Sequence, residues 1–245
     1  MKMKRMVDKD IIEKLQKKIL VLQGNHKPDK EQLGVGLGAI ELVFPGNIFP
    51  RGAVHELISL SSENASSTNG FISVILGKLM QKNGCCIWIS SKRKLFPPAL
   101  KVFGINPEQI LFVDTWKVKD CLWTIEEAMK CDALTAVVGE ISEMSFNDSR
   151  RLQLAVEKSK VTGFIHRQQP KAMNAVACVS RWKINSVESE LIGKMPGVGF
   201  PRWEVELLKV RNGQTGKWLV QWSPRGLEYI SEQIVTTKIH EPKIA

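Results

Sequence analysis

The sequence predicts an α/β protein: a three-layer core with a mostly parallel sheet and a C-terminal antiparallel extension. Three observations point there. Between residues 53 and 165, short apolar runs alternate with helix-forming stretches, the pattern of strands joined by helical crossovers. Beyond residue 175, strand-like runs follow one another with no helix between them. At 245 residues and 43% hydrophobic side chains, the chain can bury one substantial core.

The elements read in order as follows. Residues 8–23 form an amphipathic helix, because Ile11, Ile12, Leu15, Ile19 and Leu22 recur at three- and four-residue spacing, and Gly24 and Pro28 end it. Polar, glycine-rich residues 24–38 read as a linker, so 1–45 make an N-terminal helix and linker. Residues 54–60 form a strand and 68–82 a helix. Residues 85–90 form a strand, 97–103 a short helix and 110–114 a strand. Asp120 caps a helix running to Lys130, and 134–138 form a strand with Gly139 and Glu140 at its end. Ser145 and Asp148 give a capping-box-like start to a helix ending at Ser159, and 161–165 form the next strand. The closing strands are 175–184, 203–211 and 217–222, the last two joined through Asn212-Gly213. Residues 166–174 and 185–200 read as loops, 46–224 as one domain, and 225–245 as a tail.

Composition excludes several classes. No apolar run is long enough for a membrane helix, and the basic N-terminus leads into Asp8-Lys9-Asp10, not into an apolar signal segment. The five cysteines include no C-x-x-C pair and read as buried thiols in a reducing, cytoplasmic compartment. The four histidines are scattered. His55-Glu56 begins like a zinc-protease motif, but Ser59 stands where the second ligand belongs, so no metal is expected. The net charge of +10 suits a polyanionic partner, and equally a basic solvated surface.

The order of parts resembles the RecA superfamily. A lead-in, Pro50-Arg-Gly-Ala-Val-His-Glu-Leu57, enters the first strand. After several βα units come Asn174-Ala-Val-Ala-Cys-Val-Ser-Arg-Trp-Lys-Ile184 and Glu204-Val-Glu-Leu-Leu-Lys-Val-Arg-Asn212. More closely, six runs in order resemble the ImuA branch of error-prone repair proteins. They are Arg51-Gly-Ala-Val-His-Glu56, Leu95-Phe-Pro-Pro-Ala-Leu100, Leu122-Trp-Thr-Ile-Glu-Glu-Ala128, Ala136-Val-Val-Gly-Glu140, Ser149-Arg-Arg-Leu-Gln-Leu-Ala155 and Phe200-Pro-Arg-Trp203.

That resemblance implies a nucleotide site, and the residues there depart from it. A phosphate loop, G-x-x-x-x-G-K-[ST], needs glycines for backbone approach, a lysine for the phosphate charge and a hydroxyl for Mg²⁺. The matching stretch, Ser59 to Gly70, puts Ser66, Ser67 and Thr68 where Gly, Lys and Thr belong, and there is no lysine between positions 54 and 77. Lys92 falls where the catalytic acid is expected, and Gly139 where the strand-terminal aspartate is expected, with Glu140 next to it. The expectation is a protein with no cofactor and no ATPase chemistry.

Two basic stretches are DNA-contact candidates on the same resemblance. Arg167, Gln168, Gln169 and Lys171 lie in the loop matched to a RecA DNA loop, without a carboxylate, and read either as phosphate contacts or as an ordinary solvated loop. Lys209 and Arg211 end a closing strand, as partner-facing cations or as edge charge that discourages aggregation. Trp182, Trp203, Trp218 and Trp222 read as core before they read as base-stacking platforms, and Trp88 and Trp123 belong to elements expected to be buried. The ImuA resemblance implies a non-catalytic accessory of damage-induced translesion synthesis. Its partners would be an ImuB-type Y-family-like protein, an error-prone polymerase, and single-stranded or damaged DNA. A SulA-like inhibitor of cell division and a RecA-type ATPase with an atypical loop are the alternatives.

Overall fold

The computed structural model describes residues 34–231, apart from 82, 92 and 191–198; the expected N-terminal helix lies outside the described residues. Its strands are β1 (Val54–Ser59), β2 (Cys86–Ser90), β3 (Ile110–Asp114), β4 (Ala136–Ile141), β5 (Thr162–Gln168), β6 (Ser180–Val187), β7 (Arg202–Val210), β8 (Gly216–Ser223) and β9 (Gly226–Ser231). The α-helices are α1 (Ser62–Leu79), α2 (Val118–Met129) and α3 (Phe146–Ser159). One nine-stranded sheet runs in the order β3-β2-β4-β5-β1-β6-β7-β8-β9. Pairings from β3 through β6 are parallel, and those from β6 through β9 antiparallel. The expected α/β class, with its antiparallel extension, is what the chain adopts. Among the described residues no helix is long and apolar enough to cross a membrane.

The pleat sorts the parallel strands between two cores. On β4, Ala136 and Val138 face one side and Val137 the other. The first core holds Phe71, Ile72 and Ile75 of α1 against Trp88, Val138, Phe164 and Trp182. The second holds Ile125 and Met129 of α2 and Leu152 and Val156 of α3 against Val54, Ile89, Val137 and Ile165. This alternation sets the site, because it sends Gly139 under α2 and Glu140 under α1. In the extension, Trp182, Ile184, Trp203, Val205, Trp218 and Val220 are buried on the face shared with α1. The alternating strand tryptophans are therefore core. Lys183, Glu206 and Lys217 are register partners across the outer face, an opposite-charge ladder.

Helix α1 begins six residues before the expected position 68. Ser61 caps it by accepting from the Asn64 amide at 3.2 Å. The run Ser62-Glu-Asn-Ala-Ser-Ser67 reads as loop by propensity, but Ser66 and Thr68 donate to carbonyls four residues earlier, at 3.3 and 2.7 Å. At Gly77 a Cβ would stand 2.2 Å from the Phe103 carbonyl oxygen, so only glycine lets α1 approach that segment. Helix α3 starts as expected, with a complete capping box between Ser145 and Asp148. Helix α2 has Lys117 at its N-cap with no side-chain cap, and Asp120 sits in its first turn rather than capping it.

Both expected flanks of the domain need correction. Residues from Gly34 belong to the compact unit, and Val35, Leu37 and Ile40 are fully buried. The tail expected from residue 225 instead begins with β9, paired to β8. One side chain joins these two segments. Tyr229, the only tyrosine, donates from its hydroxyl to the Leu37 carbonyl and accepts from the Ile40 amide at 2.9 Å. Two further expectations change: Cys85 and Cys131 are exposed while Cys86, Cys121 and Cys178 are buried, and Trp123 is 62% exposed. Tyr229→Phe removes this tie and leaves the Ile40 amide with the Leu37 carbonyl, 3.2 Å away, as its partner. It should lower stability by about 0.5–1.5 kcal/mol in urea unfolding and speed hydrogen exchange at the Ile40 amide; an unchanged exchange rate would count against the staple.

Candidate functional site

Open α/β sheets gather ligands at the carboxyl ends of their strands, where successive crossovers leave on opposite faces. Here α1 follows β1 on one face, and α3 follows β4 on the other, so the ends of β1, β5 and β4 define that place. Polar side chains close it. The Ser59 hydroxyl lies 2.7 Å from Nε2 of His166, and Nδ1 of His166 lies 2.8 Å from Oδ1 of Asn69. Nδ2 of Asn69 donates to Oε1 of Glu140 at 3.1 Å, as Nε1 of Trp88 does at 2.9 Å; Nε2 of Gln168 donates to Oε2 at 3.0 Å. Because Oδ1 of Asn69 can only accept, His166 carries its proton on Nδ1 and accepts from Ser59 through Nε2. Ser59, Asn69, His166 and Glu140 are all buried.

Burial decides the protonation states. Desolvation pushes the Glu140 carboxyl above the usual carboxylate range, against the pull of its donors Trp88, Asn69 and Gln168 and the nearby charge of Lys94. Desolvation lowers His166 to about 3. It likewise lowers His55 to about 4, where the ring stacks on Phe49 at 4.3 Å and bonds Ser180 and the Pro50 carbonyl. His55 is a packed, neutral core histidine.

The expected phosphate-site residues do not form a loop. Only Leu60 and Ser61 separate β1 from α1, and Ser66, Ser67 and Thr68 lie beyond the first turn of that helix. Ser66, Ser67 and Thr68 are therefore not the remnant of a phosphate loop that was expected there, since a two-residue connection capped by Ser61 offers no glycine-lined cradle. Lys92 lies outside the described residues. Its neighbour Arg93 pairs with Asp114, at 2.6 and 3.2 Å, and lies 4.8 Å over the Phe112 ring. At Gly139 a Cβ would stand 2.3 Å from Cδ1 of Ile125, so α2 fills the space an aspartate would need.

The second polar cluster lies beside the first. Glu56 is fully buried between two guanidinium groups: Nη1 of Arg167 donates to its Oε1 at 2.9 Å, and Nε of Arg181 donates to Oε2. Arg167, also fully buried, donates further to Oδ1 of Asn174 at 2.9 Å, the Ala172 carbonyl at 3.1 Å and Glu143 at 3.3 Å. Arg181 reaches the Asn174 carbonyl at 2.6 Å, and Nδ2 of Asn174 donates to the Met144 carbonyl at 2.8 Å. The Lys171 amide donates to Glu143 at 2.7 Å. Residues 169–174 are thus folded down around Arg167.

This geometry divides the DNA-contact candidates. Arg167 is withdrawn from the surface by Glu56, and Gln168 is committed to Glu140. Lys209 donates to the Val176 carbonyl at 2.8 Å and Arg211 to the Ala177 carbonyl at 2.9 Å, so both brace the segment leading into β6. Gln169 and the Lys171 side chain remain exposed. The sequence reading passed over Asn69, His166, Asn174 and Arg181 as polar partners, and over Trp116, which is 96% exposed. For Trp116 there was a signal: an indole directly after a strand, followed by Lys117 and Lys119. No cluster of His, Cys, Asp or Glu among the described residues is suited to hold a metal ion.

The fold and site together define an open α/β protein whose ligand crevice is occupied by its own side chains. The chain belongs to the ImuA family. It is 30% identical over 206 residues to Protein ImuA from two strains of Caulobacter vibrioides, a match covering 79% of this chain and 84% of each relative. No protein-family model matches the sequence.

Two outcomes follow for the buried groups. Arg167→Leu strands Glu56 beside one remaining partner and should cost about 3–5 kcal/mol in chemical denaturation; Arg167→Lys should fail to restore it, lacking the fork. The two histidines, lowered in the fold, give stability that is complete above the unfolded value near 6.5 and lost as pH falls, because the unfolded chain takes up protons that the fold refuses. Glu140, raised, acts in the opposite sense. Between about pH 6.5 and about pH 5, stability should fall by about 1 kcal/mol per unit for each histidine, less the Glu140 contribution, with both imidazoles neutral by nitrogen NMR. An imidazolium signal from either ring in that window would contradict it.

Proposed function

We propose that this chain is a non-catalytic accessory of DNA-damage-induced translesion synthesis. It would act by binding an ImuB-type, Y-family-like protein and an error-prone polymerase, and by placing them on single-stranded or damaged DNA. Membership of the ImuA family supports the biological setting. The absence of chemistry is supported chiefly by one observation. Where a RecA-like protein would hold nucleotide, Ser59, Asn69, His166, Gln168 and Glu140 satisfy one another, with no phosphate-sized connection between β1 and α1. An anion entering there would meet a buried carboxyl already satisfied by Trp88, Asn69 and Gln168, and the charge of nearby Lys94 does not overcome the desolvation that raises that carboxyl. The cytoplasm is the compartment in which such a partner set works.

The competing reading is a RecA-type ATPase with an atypical loop, in which Glu140 serves as the acid. Titration calorimetry with ATP and Mg²⁺ should show no binding heat and no turnover. Turnover that disappears in Glu140→Gln would defeat the proposal. Deleting the gene should lower damage-induced mutation frequency without altering survival of unstressed cells, and the purified protein should retain the ImuB-type partner. An unchanged mutation frequency together with no retention would sink the accessory role.

A further inference from the structure

The loops following β2 and β3 meet at one end of the sheet. The Thr115 amide donates to the Ser90 carbonyl at 2.9 Å, and Arg93 of the first loop holds Asp114 at the base of the second. Trp116 extends from this junction. At 96% exposure it is the most open large apolar side chain among the described residues. Nothing in the fold gains from that area, which stays in water at a cost proportional to its size.

Most of the unpaired charges around it are positive. Lys117 and Lys119 follow Trp116 directly, Lys94 lies on the neighbouring loop, and all three are exposed. Among the described residues none of them forms an ion pair. The carboxylates nearby are mostly engaged: Asp114 by Arg93, and Glu143 by Arg167 and the Lys171 amide. Asp120, in the first turn of α2, is the exception.

A protein partner would favour a different part of this surface. Hollows of about 430 and 300 Å³ border α2 and α3, the first lined by Val118 and Leu122 and the second by Lys119, Leu122 and Trp123, and Trp116 lines neither of them. It stands exposed, beside cations that form no ion pair among the described residues. Aromatic faces with flanking Lys or Arg are how proteins hold single strands without reading sequence: the ring stacks on a base and the cations follow the phosphates. We infer that Trp116, with Lys117 and Lys119, is a stacking platform for single-stranded DNA. This rests on the accessory reading only for the choice of DNA as the polyanion. It places contact on the β3–α2 loop and the first turn of α2, away from the residues 166–174 that the sequence suggested.

The experiment is fluorescence anisotropy of a labelled oligothymidylate titrated with the full-length protein over a range of salt. Trp116→Ala should weaken binding by about tenfold or more, and Trp116→Phe should recover most of the affinity. Replacing Lys117 and Lys119 together with Ala should flatten the slope of log affinity against log salt by about 0.7 per lost phosphate contact. Melting temperatures should be unchanged, since all three side chains are exposed. The inference is overturned if Trp116→Ala binds as the parent does, or if the parent has no affinity at low salt. It is equally overturned if Trp116→Ala loses only a protein partner and keeps its DNA affinity. Failure of the accessory role would appear instead in the mutation-frequency assay, which this titration does not touch.

Discussion

Glu56 is the charge around which the rest of the site is arranged. A carboxylate with no exposed surface loses several kcal/mol of hydration, and only close, well-directed partners compensate for it. Arg181 is its register neighbour on β6, and Arg167 reaches it from β5, so the ion triad crosses three adjacent strands. A one-residue slip of any of them would turn a charge toward an apolar core. The remaining donors of Arg167 then determine the path of residues 169–174 through Asn174, Ala172 and Glu143. Strand register and loop conformation thus share one cause.

The fold was legible where its signals are local. Alternating apolar runs marked the parallel strands, the capping box at Ser145 marked α3, and interrupted spacing marked the antiparallel end. The misses share a physical reason. Ser, Thr and Asn compete with the helix for backbone hydrogen bonds, so residues 61–67 read as loop. Burial of Phe71, Ile72 and Ile75 beneath the sheet, with hydroxyls folded back on the helix, reverses that preference. Residues 34–43 read as linker because of their glycines, but those glycines separate Val35, Leu37 and Ile40, which enter the core. The acceptor that fixes this segment, Tyr229, lies 189 residues from Ile40.

The site was legible only in what it lacks. That no lysine occurs between 54 and 77 is plain from the sequence. That the whole connection is two residues long is not, because absent residues carry no register. Arg167 shows the opposite limit. In a polar stretch with Gln168, Gln169 and Lys171 it reads as solvated, and its burial is decided by Glu56, 111 residues away. Local composition cannot separate a cation that waits for a phosphate from one already committed to a carboxylate.

The two clusters and the open edge form a consistent division of the sheet's carboxyl end. At β1, β5 and β4 the side chains of Trp88, Asn69, Gln168 and Arg167 donate to acceptors within the fold, so those groups are turned inward. At β3 the opposite holds: the backbone turns at Thr115, the acidic group Asp114 is neutralised by Arg93, and an indole and lysines are left outward. A sheet that satisfies its centre internally can still recruit a partner at its rim, where ring faces and mobile cations act without the precise geometry that chemistry demands. Such binding tolerates any base sequence. That tolerance would suit the proposed accessory role, because a lesion removes the regular base edges on which sequence reading depends.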